Sequence, residues 1–545
     1  MSRFARGRPR SRLMVLVALL AAIIAIVPAA GASNQSAASP RETVDLQILQ
    51  VSDWHAQLDP VSGVGGAAAL STYFQQDRAA QPNTLTLTAG DAFGASPPLS
   101  SFFNEEPAVQ AMNLMGFDAD TFGNHNFDRG VTHLQQMIDL AEFQYVSANL
   151  KNVEDNLTGV KPYEIFDMDG VKVAVIGLTN PEAPSLVFPG NFGTIEVTDP
   201  VAAANKARAQ ARRDGAKVFV VITHMGVTHF ENGEAQGPLI DFANAVGGYD
   251  VILGDHTDVQ FEGVVNDALV VENRSKGVTY SRLNLTIDQK NGRILAQNVD
   301  FVSPVSAAVA PDSAIVEMLA PYRVELAEAF DGVIGEATDE FPRGGNIERL
   351  GEVAIGNLIA DSMRAAYGTD LAFTNGGGIR APLPSTYLPQ DTTLRRTTPG
   401  YAAGPPYDLV IGDVFTVLPF GNIVITREVT GALLYEILEH GVAAMPAANG
   451  RFPQISGFKF TYDVAQLPGS RVVDVILDDG TPVLPDSTVY SLATNDFVNA
   501  GGDGYTMLAG GHGVSREVMA DVLLEYITEQ GTITPAIEGR ITRLN

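Results

Sequence analysis

The chain has no cysteine. Disulfide staples and thiolate metal sites are excluded, so any metal must be held by His, Asp, Glu, Asn or Gln. Histidine is scarce, with eight in 545 residues, and tryptophan occurs once, as Trp54. Positive charge is also short: 35 Lys and Arg stand against 63 Asp and Glu, a formal net charge of −28. Five of those bases, Arg3, Arg6, Arg8, Arg10 and Arg12, fall in an N-terminal stretch without acids, which leaves 30 against 63, or −33, for the remainder. Such a surface repels nucleic acid polymers and anionic membranes. It leaves room for a small anionic substrate, because a metal cluster can reverse the local field. Past residue 32 no apolar run is long enough to cross a bilayer.

What is present begins with a leader. Residues 1–32 read as a secretory signal: an Arg-rich start, fifteen apolar residues from Leu13 to Val27, and Ala30-Gly31-Ala32 as a small-x-small cleavage site. Retention as an uncleaved anchor is the alternative. No Cys follows the apolar region, which argues against a lipid-anchored lipoprotein. The expected location is secreted, in the cell envelope or periplasmic. The length calls for two domains or more, and 45% hydrophobic residues exclude a largely disordered chain.

Residues 33–43 read as a flexible N-terminus. A strand-then-polar-turn pattern follows. Val44 to Val51 alternates apolar and polar and runs into Ser52-Asp53-Trp54-His55. Thr84–Thr88 runs into Ala89-Gly90-Asp91, and 117–122 into Gly123-Asn124-His125-Asn126-Phe127-Asp128. Val218–Ile222 leads to Thr223-His224-Met225-Gly226, and Tyr249–Leu253 to Gly254-Asp255-His256-Thr257-Asp258. Helical patterns separate them at 66–78, 107–115, 131–141 and 201–214. This alternation predicts an α/β layered domain whose strands feed one rim. A helix is expected over 312–330, a boundary near Asp331-Gly332, and a second domain with helices at 355–367, 431–444 and 517–530. The stretch Pro382 to Pro406, rich in Pro, Thr and Gly, reads as a long exposed loop.

Five strand ends present Asp53, His55, Asp91, Asn124, His125, His224, His256 and Asp258, including four of the eight histidines. So many N and O donors suit two divalent ions with a shared carboxylate, and the mixed set favours Mn, Zn, Co or Fe over Ca or Mg. In this order D-x-H, G-D, G-N-H-x-F-D, T-H-x-G and G-x-H-T resemble the calcineurin-like metallophosphoesterases across roughly 44–300. The resemblance implies that Asp53, His55, Asp91 and Asp258 hold one metal. Asp91, Asn124, His224 and His256 would hold the other, with His125 facing the leaving group and Asp128 fixing its ring. The sequence departs from the family around D-x-H, where Asn or Gly is common and Ser52-Asp53-Trp54-His55-Ala56 stands, at Asn126 where an acid is common, and at Asp258 where His, Asn or Gln is common. The extra acid at Asp258 predicts a preference for Mn²⁺ over Zn²⁺ at that position.

In the second half, Asn375-Gly376-Gly377-Gly378-Ile379-Arg380, Leu418-Pro419-Phe420-Gly421-Asn422 and the stretch from Asn495 through Phe497 to Asp503 put aromatics, amides, a guanidinium and a carboxylate on Gly-rich turns. Two aromatic faces can sandwich a base, an Asp can accept from ribose, and an Arg can bind phosphate. These stretches are similar to the C-terminal domain of the 5′-nucleotidase family. That resemblance implies Arg349, Asn375 and Arg380 at phosphate or ribose, Phe420 and Phe497 stacking the base, Asn422 and Gly457 along its edge, and Asp503 on the ribose. The implied fold is a four-layer αββα metallophosphoesterase sandwich (44–305), a linker helix (306–330) and a C-terminal α+β substrate-binding domain (331–545), the two half-sites meeting by rotation of the domains.

The implied function is release of phosphate from nucleoside 5′-monophosphates, with di- and triphosphates as further candidates, by in-line attack of a metal-bound hydroxide. Alternatives on the same scaffold are a 2′,3′-cyclic nucleotide phosphodiesterase, a UDP-sugar or NAD pyrophosphatase, or a thiosulfohydrolase, the last disfavoured by the Phe pair. A non-catalytic nucleotide binder is the alternative of another class.

Overall fold

The computed structural model describes residues 42–510 and 513–545. The expected signal (1–32) and the start of the flexible N-terminus lie outside the described residues. Among the described residues no helix is long and apolar enough to cross a membrane.

Two six-stranded sheets form the first half. One runs in the order Ile294–Val302, Tyr280–Asp288, Thr43–Val51, Thr84–Thr88, Ala119–Asp120, Gln144–Tyr145. The other runs Phe261–Val265, Ala268–Glu272, Val251–Leu253, Val218–Thr223, Val171–Leu178, Tyr163–Met168. Their inner strands are parallel and buried on both faces, which is why VFVVIT at 218–223 is continuously apolar and β-branched. Ile48, Leu85, Leu87, Val173, Val220 and Leu283 interdigitate between the sheets. Outside the first sheet pack the helices Ala67–Ala80, Glu106–Met115 and Gly130–Leu140, and outside the second Pro200–Arg213 and Pro238–Ala245. The result is the four-layer αββα sandwich. Local chemistry sets the helix ends: at Pro200–Arg213, Asp199 accepts from the Ala202 amide, Pro200 fits the first turn, and Arg212 and Arg213 close the last.

The helix Ser313–Phe330 buries Ile315, Leu319 and Leu326 in the same core as Ala67–Ala80, and that core also takes in Tyr387 and Val410 of the second half. Its last residue, Phe330, meets Phe415 of the second half edge-on at 5.2 Å. There a five-stranded sheet runs Pro453–Ser456, Leu371–Asn375, Val489–Asn495, Ile423–Thr430, Val514–Val518. Helices Ala354–Tyr367 and Met519–Gln530 share a core on one side of it, and Gly431–Gly441 packs in a second core. This is an α+β arrangement.

One expectation is corrected here. The first part of 382–406 is not an exposed loop: Leu383, Ser385 and Tyr387 are buried. Leu383 bridges to Phe341, and Arg396 forms a buried pair with Asp413 at 2.6 Å. The Pro-rich composition marks irregular backbone here, and burial is supplied by those partners.

Candidate metal centre and interdomain cavity

Five of the parallel strands of the first half, Thr43–Val51, Thr84–Thr88, Ala119–Asp120, Val218–Thr223 and Val251–Leu253, end in turns that carry proposed ligands. Five of these residues stand in the left-handed region: Asp53 (φ 37°), His55 (49°), Asp91 (50°), His256 (90°) and Asp258 (59°). Such backbone costs about 1–3 kcal/mol per residue and collects where a site over-determines it. Close approach of the turns also needs Gly123, where a Cβ would lie 2.2 Å from Asp91 Oδ1 and 2.7 Å from the His224 ring.

The donor atoms converge. His224 Nε2 lies 2.9 Å from Asp91 Oδ2, 3.1 Å from His256 Nδ1 and 3.9 Å from Asp53 Oδ1. His55 Nε2 lies 3.9 Å from Asp53 Oδ1. Backbone carbonyls fix two tautomers: His224 Nδ1 lies 3.0 Å from Ala89 O and His55 Nδ1 lies 2.9 Å from Gly94 O. In each ring Nε2 is left as the ligand nitrogen. The Asn124 side-chain oxygen is buried with no hydrogen-bond partner in the protein. An orphaned buried acceptor, two imidazole nitrogens aimed at one point and a carboxylate beside them fit a divalent ion, and the absence of thiolates suits Mn, Zn, Co or Fe.

Electrostatics agree. Burial alone would raise the Asp91 carboxyl, but His224, His125 and His55 hold it well below the usual carboxylate range. Burial would lower His224, yet Asp91 and Asp53 push it up to about 9. Burial pushes Asp53 up to about 6. His55 is held well below its usual value by burial, Arg380 and His125, and His256 by burial and His224. A second triad within ligand reach is Asp53, His224 and Asp255. Asp255 also ties two of the turns together, since its oxygens accept from the amides of Asp53 (3.1 Å) and His256 (2.9 Å).

His125 sits beside this cluster. Its amide donates to Asp91 Oδ1 (2.8 Å), and its Nδ1 lies 2.9 Å from Asp128 Oδ2, which also accepts from the Ala95 amide (3.2 Å). The ring is therefore fixed with Nε2 turned from Asp128. Asn126 acquires a physical role. Its side-chain oxygen accepts from the amides of Asp91 (3.0 Å) and Gly123 (2.8 Å), tying two ligand turns together. The oxygen alone does this, and Asn126 Nδ2 is buried without a hydrogen-bond partner.

The second half closes over this face. Asn375 and Asn495 end neighbouring parallel strands, and Phe420 and Asn422 precede the antiparallel strand beside them, so all reach one rim. Asn375 Nδ2 donates to Asp503 Oδ2 (2.7 Å), and Asn495 Nδ2 donates to Asn375 Oδ1 (3.0 Å). Gly502 lets Phe497 lie against the backbone, since a Cβ there would be 2.3 Å from the ring. Phe420 stacks on His125 (5.5 Å, 17°) and under the Arg380 guanidinium (5.8 Å). Arg380 Nη2 stands 3.1 Å from His55 Nε2. The two half-sites are thus joined in one closed arrangement. A cavity of about 300 Å³ between them is lined by Asn124, His125, Asp128, His256, Arg349, Asn375, Arg380, Phe420, Asn422, Phe497 and Asp503. A smaller space of about 30 Å³ is lined by Asp53, His55, Asp91, Asp258, Lys276, Arg343, Arg349 and Arg380.

One expected site residue is not brought there. Gly457 lies past the far end of the Pro453–Ser456 strand: Pro453 pairs with Asn375, whereas Ser456 pairs with Ala372. The antiparallel register carries Gly457 (φ 90°) away from the Asn375 rim to the carbonyl of Asp370 and the side chain of Arg364. Asn449 and Gly450, at the near end of that strand, line the cavity instead. Reading from residues also missed Arg343, although Pro342-Arg343-Gly344-Gly345 shows the same signature of a guanidinium on a Gly-rich turn. Lys276 carried no signal of that kind.

Residues 46–260 match the calcineurin-like phosphoesterase family model, and 333–510 match that of the 5′-nucleotidase C-terminal domain. The endonuclease YhcR of Bacillus subtilis is 31% identical over 92% of this chain, and the chain spans 41% of that relative's length. The 5′-nucleotidase of Vibrio vulnificus is 26% identical over 96% of this chain and 97% of its own. In structure, the 5′-nucleotidase precursor of Thermus thermophilus superposes with a TM-score of 0.80 at 29% identity, covering 92% of this chain and 99% of that one. With both domain models matched in order along one chain, the protein belongs to the 5′-nucleotidase family, a calcineurin-like phosphoesterase domain followed by a 5′-nucleotidase C-terminal domain.

Proposed function

We propose that the protein is a metal-dependent phosphoric ester hydrolase that acts outside the cytoplasm on nucleoside 5′-monophosphates. The observation that carries this reading is the junction of two half-sites: convergent His, Asp and Asn donors on one face, and Phe420, Phe497, Asn375 and Asp503 on the other, about one cavity. Asp53, His55, Asp91 and Asp258 would hold one divalent ion, and Asp91, Asn124, His224 and His256 the other. Such ions supply Lewis acidity to phosphoryl oxygens and lower the pKa of water. Arg380 and Arg349 receive the phosphoryl charge. His125 faces the ester oxygen and delivers a proton to it, held in one tautomer by Asp128. Phe497 and Phe420 stack the base, and Asp503, already accepting from Asn375, takes the ribose hydroxyls. Remote contacts of this kind raise turnover when they fix the reacting group in line. The leader at 1–32 supports export. A second reading, cleavage of phosphodiesters, is favoured by the likeness to a protein named an endonuclease.

The test is a panel: purified protein loaded with Mn²⁺ or Zn²⁺, assayed on AMP, ATP, 2′,3′-cyclic AMP, UDP-glucose and NAD. AMP should have the highest kcat/KM. Replacing Phe497 by alanine should raise the KM for AMP about 10-fold, as loss of one base stack does. A KM unchanged by that substitution, or turnover confined to the diester, sinks the monophosphate reading.

Trp54 offers a direct readout of the ligand turn. It is 1% exposed, between Asp53 and His55. Its emission should change when metal is chelated and recover on reloading. Apparent metal affinity should rise with pH up to about 9, because His224 in the metal-free centre holds a proton that the ion must displace. Unchanged emission after complete metal removal would argue against Asp53 and His55 as ligands.

A further inference from the structure

Lys276 has no part in the assignments above, yet it touches both halves of the molecule. It lies on the turn between Ala268–Glu272 and Tyr280–Asp288. That turn is clasped by Asn273 Nδ2 donating to Thr279 O (2.8 Å) and Thr279 Oγ1 donating to Asn273 Oδ1 (2.6 Å). Gly277 presses it against the core: a Cβ there would lie 2.8 Å from Leu70 and 3.4 Å from Trp54. The Lys276 amide donates to Asp53 O at 2.9 Å, and its own φ is 59°. The root of the side chain is therefore fixed to the turn that bears Asp53.

The side-chain amino group crosses to the second half and donates to the Arg380 carbonyl at 2.9 Å. The Arg380 amide donates to Val417 O (2.9 Å), and its guanidinium stands 3.1 Å from His55 Nε2. A ring of contacts results: Asp53 turn, Lys276, Arg380, His55, and back along the chain to Asp53. An apolar side chain of equal length would fill the same space without bringing a fourth basic group beside Arg343, Arg349 and Arg380. What the amino group adds is a hydrogen bond across the domain boundary.

We propose that Lys276 is a positioning residue that registers the second domain on the metal centre: by holding the Arg380 carbonyl, it sets the Arg380 guanidinium beside His55, where the phosphoryl group is received. The proposal rests on the phosphohydrolase reading above. It assigns Lys276 no contact with substrate and no metal.

A double-mutant cycle tests it, with Lys276→Met, Arg380→Ala and the double variant in the full metal-loaded chain. For each, kcat and KM for AMP, the Ki of inorganic phosphate and the metal content are measured. Lys276→Met should raise KM and phosphate Ki together by about 10- to 100-fold, with kcat changed less than about threefold and metal content unchanged. In the Arg380→Ala background the same change should add less than about twofold. The full Lys276→Met effect persisting without the Arg380 side chain would show direct contact with substrate and overturn the proposal. So would an unchanged KM, or loss of metal. If the methionine variant does not fold, Lys276→Gln takes its place in the cycle. A parent protein that neither hydrolyses nucleotides nor is inhibited by phosphate overturns the functional reading and the proposal with it. An active parent with a failed cycle overturns the Lys276 assignment alone.

Discussion

Replacing Asp91 by alanine should lower kcat by about 10⁴-fold or more and reduce bound metal from about two ions per chain to less than one. Asp91 is 1% exposed and shared by both proposed ligand sets. One of its oxygens accepts from the His125 amide and the other faces His224 Nε2 at 2.9 Å. The neighbouring imidazoles keep it ionised despite burial, so it brings negative charge to the centre at any working pH. Its removal takes away the one carboxylate that both ions would share and leaves His224 without its main partner.

The conservative partner variant separates chemistry from folding. Asp91→Asn keeps an acceptor for the His125 amide and should keep the melting temperature close to that of the parent. It should still lose metal, since a neutral amide cannot balance two divalent ions. Elemental analysis and kcat measured on the same samples decide the matter. Either variant retaining two ions and a tenth of the parent rate would remove Asp91 from the shared position.

The candidate metal centre is the most legible part of the chain because each proposed ligand follows a strand that can be recognised by its own pattern. Val44–Val51, Thr84–Thr88 and Val218–Ile222 were visible as strands, and parallel packing then carries their ends to one rim. The left-handed backbone at Asp53, His55 and Asp91 was not legible, because it arises from the crowding of turns distant in sequence. Asn126 shows the same limit. Its neighbours Asp91 and Gly123 become one hydrogen-bonding unit with it only when two turns meet.

In the second half, Gly-rich turns marked Asn375, Arg380 and Asp503, but register decided which glycines matter. Gly457 and Gly450 stand at opposite ends of one short strand, and only the pairing of Pro453 with Asn375 tells them apart. Lys276 was invisible for a further reason. A lone lysine after serine in a polar turn looks solvated, and its hydrogen-bond partner lies in a domain that begins more than fifty residues later in the chain.

The second large effect is expected at His125. Its replacement by alanine should lower kcat on AMP by about 10³-fold, within the range that general acid–base groups supply, while metal content is kept. The side chain belongs to neither proposed ligand set: Nδ1 lies 2.9 Å from Asp128, and the ring stacks on Phe420. Its backbone amide, which does contact Asp91, survives the substitution. Nucleotide binding should weaken only modestly, through the Phe420 contact, so KM should move far less than kcat. Asp128→Asn should cost less, about 10- to 100-fold, because it frees the ring without removing it. The leaving group provides the sharpest test. If His125 delivers a proton to the departing oxygen, an ester of a good leaving group such as p-nitrophenol needs that proton less, and His125→Ala should slow it far less than AMP. Equal losses on both substrates would move His125 from the leaving oxygen to stabilisation of phosphoryl charge. Full activity on AMP would take it out of the reaction altogether. A nucleotide-binding protein without catalysis predicts a third pattern, in which the parent has no turnover to lose and the variant binds AMP as before.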